Sequence, residues 1–189
     1  SVVGGERIGR YSFVGTNPFL SVTSWDRQVR FRYADGRAEE RTSADPLKDL
    51  DHLLSQYSCA TVAGLPSFCG GAVGYAGYDV IRYTEHLPNI PEDDRGLPDL
   101  CFALYDSMVI FDHIRKVLLA VVLADTNEQD ADTARRDAEQ RLDDLCGQLA
   151  AADNSLTLTD IDLTVEAQLQ TESNFTQESF EAAVERCRE

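Results

Sequence analysis

The stretch Ser67-Phe68-Cys69-Gly70-Gly71-Ala72-Val73-Gly74-Tyr75-Ala76-Gly77-Tyr78-Asp79-Val80-Ile81-Arg82 sets four glycines and two tyrosines into what otherwise reads as one strand. Glycine inside a strand is unfavourable, because it gives up the most backbone entropy and offers no side chain to pack. A strand that keeps four of them is one that another backbone, a bulge or a ligand approaches closely. The segment is therefore read as a functional strand or as a packing seam. Its Gly71-x-x-Gly74-x-x-Gly77 spacing is not a dinucleotide fingerprint, because a strand continues where a helix should begin.

The flanking segments alternate as half-buried strands do. Residues 9–14 and 19–24 carry Tyr, Phe, Val and Thr and are separated by the turn Gly15-Thr16-Asn17-Pro18. Val29 to Tyr33 pairs onward through Ala34-Asp35-Gly36-Arg37, so the first forty residues read as a β-meander. Asp45-Pro46 opens a helix, with Leu47, Leu50, Leu53, Leu54 and Tyr57 as its apolar stripe. Glu85 to Pro98, with three prolines and the cluster Glu92-Asp93-Asp94, reads as a surface loop. Leu100 to Asp112 and Lys116 to Ala124 are expected as two strands of an antiparallel hairpin. Residues 128–151 form the clearest helix, with Ala134, Ala138, Leu142, Leu145 and Leu149 on one face. Residues 153–175 are polar and Thr-rich, a linker with room for one edge strand, before a last helix carrying Phe180, Val184 and Cys187. Strands joined by hairpins and interrupted by helices predict an α+β fold with antiparallel sheets.

A net charge of −16 opposes binding to nucleic acid or an anionic membrane. Residues 1–41 run against this trend, with seven Arg against five acidic groups, and the remainder carries about −18. No apolar run approaches the ~20 residues that span a bilayer. Five scattered cysteines with no CxxC pair or zinc spacing point to free thiols in a reducing cytoplasm. Met108 is the only methionine, and the last helix carries no Gly, Asn or Pro to stop it, so the chain is expected to be a fragment.

Catalytic signatures are scarce: there is no P-loop, GxSxG or HExxH, and no metal-spaced cluster. His52, His86 and His113 read as surface histidines, the last at a hairpin tip. Asp106 and Asp112 flank Ser107 to Phe111 and lie roughly 20 Å apart along an extended strand, too far for paired acid–base work. Asp79 and Arg82 fall on opposite faces of a regular strand, so no direct pair is expected. Arg10-Tyr11-Ser12-Phe13 combines a guanidinium, a phenol and a hydroxyl, a set able to hold a carboxylate-bearing ligand. An ordinary half-exposed strand is the alternative reading.

Several motifs taken in order make a pattern. Gly4-Gly5-Glu6-Arg7-Ile8-Gly9-Arg10-Tyr11-Ser12-Phe13-Val14-Gly15 is followed by Gly70-Gly71-Ala72-Val73-Gly74-Tyr75 with Gly77-Tyr78-Asp79 and Arg82. Leu104-Tyr105-Asp106, Phe111-Asp112-His113 and Phe180-Glu181-Ala182-Ala183-Val184 come next. The whole resembles the N-terminal region of the anthranilate synthase component I family, with Cys69 standing where that family is expected to carry threonine.

The resemblance implies an α+β fold whose two large antiparallel sheets pack orthogonally in the parent, with helices outside. Here the chain would supply only part of that fold. Residues 1–152 would be the regulatory and structural region, 153–175 a linker, and 176–189 the start of the chorismate-binding portion. The family makes anthranilate and pyruvate from chorismate and ammonia, the first committed step of tryptophan synthesis. It uses Mg2+ and takes ammonia from a glutamine amidotransferase subunit. The resemblance puts the metal ligands and catalytic groups past residue 189, so this stretch would be inactive alone. It also implies part of a tryptophan feedback site, with Ser1 at the amino-acid end of the inhibitor and Arg10, Tyr11 and Ser12 lining the pocket. The alternatives are aminodeoxychorismate synthase component I, of the folate pathway, and an autonomous non-catalytic ligand-binding module.

Overall fold

The computed structural model describes residues 9–127, 129–151 and 172–188. The chain divides into two compact units, residues 1–152 and 153–189. In the first, the described strands form two sheets. A five-stranded sheet is built from β2 (Leu20–Trp25), β3 (Gln28–Tyr33), β4 (Ala38–Thr42), β5 (Gly71–Ala76) and β6 (Leu100–Tyr105), in the order β4-β3-β2-β6-β5. A three-stranded sheet is built from β1 (Tyr11–Val14), β7 (Ser107–Asp112) and β8 (Val117–Val122), in the order β1-β7-β8. Each strand pairing is antiparallel. With α1 (Pro46–Ser55) and α2 (Ala131–Ala150) packed onto them, the fold is α+β, as the sequence predicts.

Local chemistry explains most of the elements. The Asp35 carboxylate accepts a hydrogen bond from the Arg37 amide at 2.9 Å and closes the β3–β4 turn. Asp45 accepts from the Lys48 amide at 3.3 Å and caps α1, with Pro46 in the first turn. Asp130 does the same for α2, accepting from the amides of Asp132 and Thr133.

Two expectations about the strands are corrected. β1 does not join the following strands in a meander: it leaves them and pairs with β7, Tyr11 opposite Asp112 and Val14 opposite Val109. The expected single strand from Leu100 to Asp112 is two strands in different sheets, broken at Asp106. A strand can turn a corner between sheets through a bend. Here the bend is pinned on two sides, because Leu123 donates its amide to the Asp106 carbonyl at 2.7 Å and Arg141 of α2 meets the Asp106 carboxylate at 2.7 Å.

The core follows this division. One cluster gathers Leu20 and Val22 from β2, Val29 and Phe31 from β3, Leu50 from α1, and Leu100 and Leu104 from β6. Within the predicted stripe of α1, Leu50 is buried and Leu53 and Leu54 pack against it, while Leu47 and Tyr57 are exposed. A second cluster lies under the smaller sheet: Cys69, Met108, Ile110 and Val121, with Tyr11, Phe68 and Tyr105 against them. On α2, Ala134 is buried and Leu149 is exposed.

The glycine-rich stretch is also corrected. Only Gly71–Ala76 is a strand, at the edge of the larger sheet, and Tyr78–Tyr83 winds into a 3-10 helix. A Cβ built on Gly74 would run into the backbone of Cys101 and Phe102 in β6. The glycine is there because a neighbouring strand occupies the space of a side chain. In the 3-10 helix Asp79 and Arg82, three residues apart, lie on one side, and Arg82 Nε donates to the Asp79 carboxylate at 2.6 Å. A dinucleotide site is excluded by what surrounds the glycines, an antiparallel edge strand and a single short 3-10 segment, rather than by a continuing strand.

In the second unit α3 spans Gln177–Arg188, with Phe180 and Val184 exposed on it. The expected linker and its edge strand, over residues 153–175, lie almost wholly outside the described residues.

Candidate functional site

The predicted site residues collect where β1 runs beside the β7–β8 turn. The His113 amide donates to the Arg10 carbonyl at 2.8 Å, extending the β1–β7 ladder by one step beyond Tyr11. That step brings the Arg10 side chain to Asp112. Arg10 Nε donates to Asp112 Oδ1 at 3.3 Å and its Nη2 to Oδ2 at 2.8 Å, the two-pronged geometry that suits a guanidinium and a carboxylate. The Asp112 side chain is only 2% exposed, and a buried carboxylate needs partners. It has four: besides the two Arg10 bonds, Oδ1 accepts the amides of Ile114 and Arg115, each at 3.0 Å. The Arg10 guanidinium, aided by these amides, outweighs burial and holds the Asp112 carboxyl down at about 2 from an ordinary 3.8.

The remaining predicted residues divide between the two faces of β1, as alternation along a strand requires. Tyr11 packs into the smaller core, with the Arg10 guanidinium 4.8 Å over its ring and Phe13 6.1 Å away. Ser12 faces the other way, its Oγ 2.7 Å from His113 Nε2 at an exposed position. The structure thus brings Arg10 and Tyr11 together and sets Ser12 apart with His113. Ser1 lies outside the described residues.

Sequence reasoning did not anticipate two members of this cluster. Asp112 reads as a strand-end residue and His113 as a hairpin tip, and both are. Their partners become visible only through the register that sets Tyr11 opposite Asp112.

Chemically, the cluster holds rather than transforms. A carboxyl held near 2 stays an anion through the physiological range and is poorly suited to pass protons. Ser12 and His113 have the spacing of a nucleophile and its base. Asp112, the adjacent carboxylate, is directed instead at Arg10 and the turn amides. A cleft between the smaller sheet and α2, lined by Val14, Thr16, Ser107, Met108, Val109, Leu145, Gln148 and Leu149, presents no titratable side chain.

A second polar group braces the far end of the larger sheet. Ser24, fully buried on β2, shares a 3.0 Å hydrogen bond with the Tyr83 hydroxyl. Burial pushes the Tyr83 phenol up, which keeps it neutral and able to donate. Arg82 also donates to the Leu87 carbonyl at 2.9 Å, tying the 3-10 helix to the loop after it.

Among the described residues, no group of three or more His, Cys, Asp or Glu is arranged to hold a metal ion. No described helix is long and apolar enough to cross a membrane.

Known proteins share this sequence and fold. The family model of the chorismate binding enzyme matches residues 9–189. Anthranilate synthase component 1 of Acetivibrio thermocellus is 41% identical over 122 residues, which cover 65% of this chain and 24% of that protein. The component 1 of Pseudomonas aeruginosa is 35% identical over 191 residues, covering 100% of this chain and 38% of its own length. The crystal structure of anthranilate synthase component I from Streptococcus pneumoniae superimposes with a TM-score of 0.69 at 26% identity, covering all of this chain and 39% of that one. The chain thus spans well under half the length of the proteins it matches. With a family model matched from residue 9 to the last residue, and with relatives named as component 1 aligned along it, the chain belongs to the chorismate binding enzyme family.

Proposed function

We propose that this chain is the N-terminal part of an anthranilate synthase component I, which converts chorismate and ammonia to anthranilate and pyruvate in tryptophan synthesis. The alignment to the Pseudomonas aeruginosa component 1 along the whole chain carries this reading. In it, residues 1–152 form a regulatory and structural region, 153–175 a linker, and 176–189 the opening of the chorismate-binding portion. The catalytic groups and the Mg2+ ligands belong to sequence past residue 189, and a glutamine amidotransferase subunit supplies the ammonia in the cytoplasm.

The role proposed for this stretch is to contribute part of the site at which L-tryptophan inhibits the enzyme, through Ser1, Arg10, Tyr11 and Ser12. The contact of the Arg10 guanidinium with the Tyr11 ring, 4.8 Å from its centroid, supports that role, because it sets a cation and an aromatic face side by side at the start of β1. Inhibition of anthranilate formation by L-tryptophan, measured on the full-length enzyme with Ser12→Ala and Arg10→Lys, tests it. Weaker inhibition with retained uninhibited activity is expected. Unchanged inhibition in both variants would remove these residues from the site. Assaying aminodeoxychorismate beside anthranilate on the same preparation separates the tryptophan enzyme from its folate-pathway relative.

A further inference from the structure

Two of the five thiols face each other. Cys59 Sγ and Cys69 Sγ stand 4.0 Å apart, Cys59 exposed and Cys69 buried. Cys101, Cys146 and Cys187 sit on β6, α2 and α3 respectively. The pair is brought together by the connection from α1 to β5, residues 56–70, which contains neither helix nor strand. A turn in its middle reverses the chain: the Leu65 amide donates to the Val62 carbonyl at 3.2 Å, and Gly64 takes a φ of +92°, open to a residue without Cβ. That reversal carries residue 59 back alongside residue 69.

The two thiols are unequally placed. Cys69 is anchored in the smaller core with Met108, Ile110 and Val121. Cys59 rides on irregular, exposed chain, its Sγ directed at the Ala60 carbonyl 3.7 Å away. A disulfide needs its sulfurs about 2 Å apart. A rotation about χ1 of Cys59 with a small loop shift closes that gap without disturbing the core.

We propose that Cys59 and Cys69 form a reversible intramolecular disulfide, made by exchange with a low-molecular-weight disulfide, oxidised glutathione. The exposed Cys59 thiolate attacks one glutathione sulfur, forming a mixed disulfide and expelling one glutathione thiolate. Cys69 gives its proton to solvent, and its sulfur attacks Cys59 Sγ, breaking the mixed disulfide and releasing the second glutathione. The two protein thiols lose two electrons and the small disulfide gains them. Burial, and after it the neighbouring Cys59 sulfur, pushes the Cys69 thiol up, so the second step quickens as pH rises. The bond lies close to β1, because Phe68, next to Cys69, meets Phe13 edge-on at 5.3 Å.

The test poises the full chain in glutathione buffers of increasing oxidised fraction, quenches with acid, alkylates free thiols and digests with trypsin. No Lys or Arg lies between residues 49 and 81, so both cysteines fall in one tryptic peptide, residues 49–82. The expected result is that most copies of this peptide lose two hydrogens and both alkyl groups together, with dithiothreitol restoring them. Cys101 and Cys146 stay alkylated as internal controls, and Cys59→Ser abolishes the change. The proposal is overturned if Cys59 accumulates only as its glutathione adduct, or if both thiols stay alkylable where a control dithiol oxidises. Should the circular dichroism of Cys59→Ser differ from the parent's, the mass of the parent's peptide decides alone.

Discussion

Arg10 and Asp112 stand 102 positions apart in the chain and meet through two hydrogen bonds of 3.3 and 2.8 Å. The pair joins the start of the first strand to the turn of the last hairpin. It also satisfies a carboxylate that the fold takes out of water.

An acid limb of stability follows from this pair. The Asp112 carboxyl sits at about 2 in the folded chain against an ordinary 3.8. Its folded value is depressed, so its contribution is complete above about pH 4 and is lost as pH falls towards about 2. Asp112→Asn should be less stable than the parent near neutrality, and the two should converge at the acid end of that window. Urea midpoints measured across the window check this, and a gap that stays constant with pH would contradict it.

Gly74 should tolerate no side chain. Gly74→Val drives atoms into the β6 backbone, and overpacking of this kind costs about 1–3 kcal/mol or more. Amide exchange of β5 should quicken more than that of β3, because among the described strands β5 pairs with β6 alone at the sheet edge. Equal protection in variant and parent would mean that the edge strand shifts to make room.

Capping of α1 gives a smaller, cleaner effect. Asp45→Ala removes the acceptor for the Lys48 amide and should cost about 1 kcal/mol, while Asp45→Asn, also a good cap, should cost far less. Chemical denaturation of both variants checks the ranking, and equal losses would assign the effect to something other than the cap.

The local features of the fold were open to reading from sequence, and the reasons are visible residue by residue. Asp45-Pro46 and Ala34-Asp35-Gly36-Arg37 act on their own neighbours, so each element they define appears where expected. What lay hidden is which sheet each strand joins. Leu100, Leu104, Met108, Ile110 and Asp112 are all buried and all an even number of residues apart, so one phase of a strand's alternation carries across Asp106, although Val109, out of phase, is buried too. Nothing in that alternation tells that the first two face one core and the next two another. The 3-10 turn of Tyr78–Tyr83 was hidden by the strand-like residues Tyr78, Val80 and Ile81. The Arg10–Asp112 pair was hidden because only the register of β1 on β7 makes the two residues neighbours.

Exposed edges predict self-association of this chain on its own. β5 is an edge strand with Val73 51% and Tyr75 45% exposed, and such an edge can template pairing with a second chain. Sedimentation should show mass rising with concentration, and Val73→Lys should suppress it. A stable monomer over the whole concentration range would count against the idea.

The order in which the smaller sheet is assembled has a consequence for synthesis. β1 leaves the ribosome about a hundred residues ahead of β7, its strand partner among the described residues. At roughly 5–20 residues per second, β1 waits on the order of 5–20 s for a partner. The larger sheet can already have zipped β2, β3 and β4 together through their short hairpins by then. Closure of the smaller sheet thus follows that of the β2–β3–β4 hairpins. A nascent chain stalled before Asp112 would carry Tyr11 and Phe13 with no strand beside them, the species on which a holding chaperone would act.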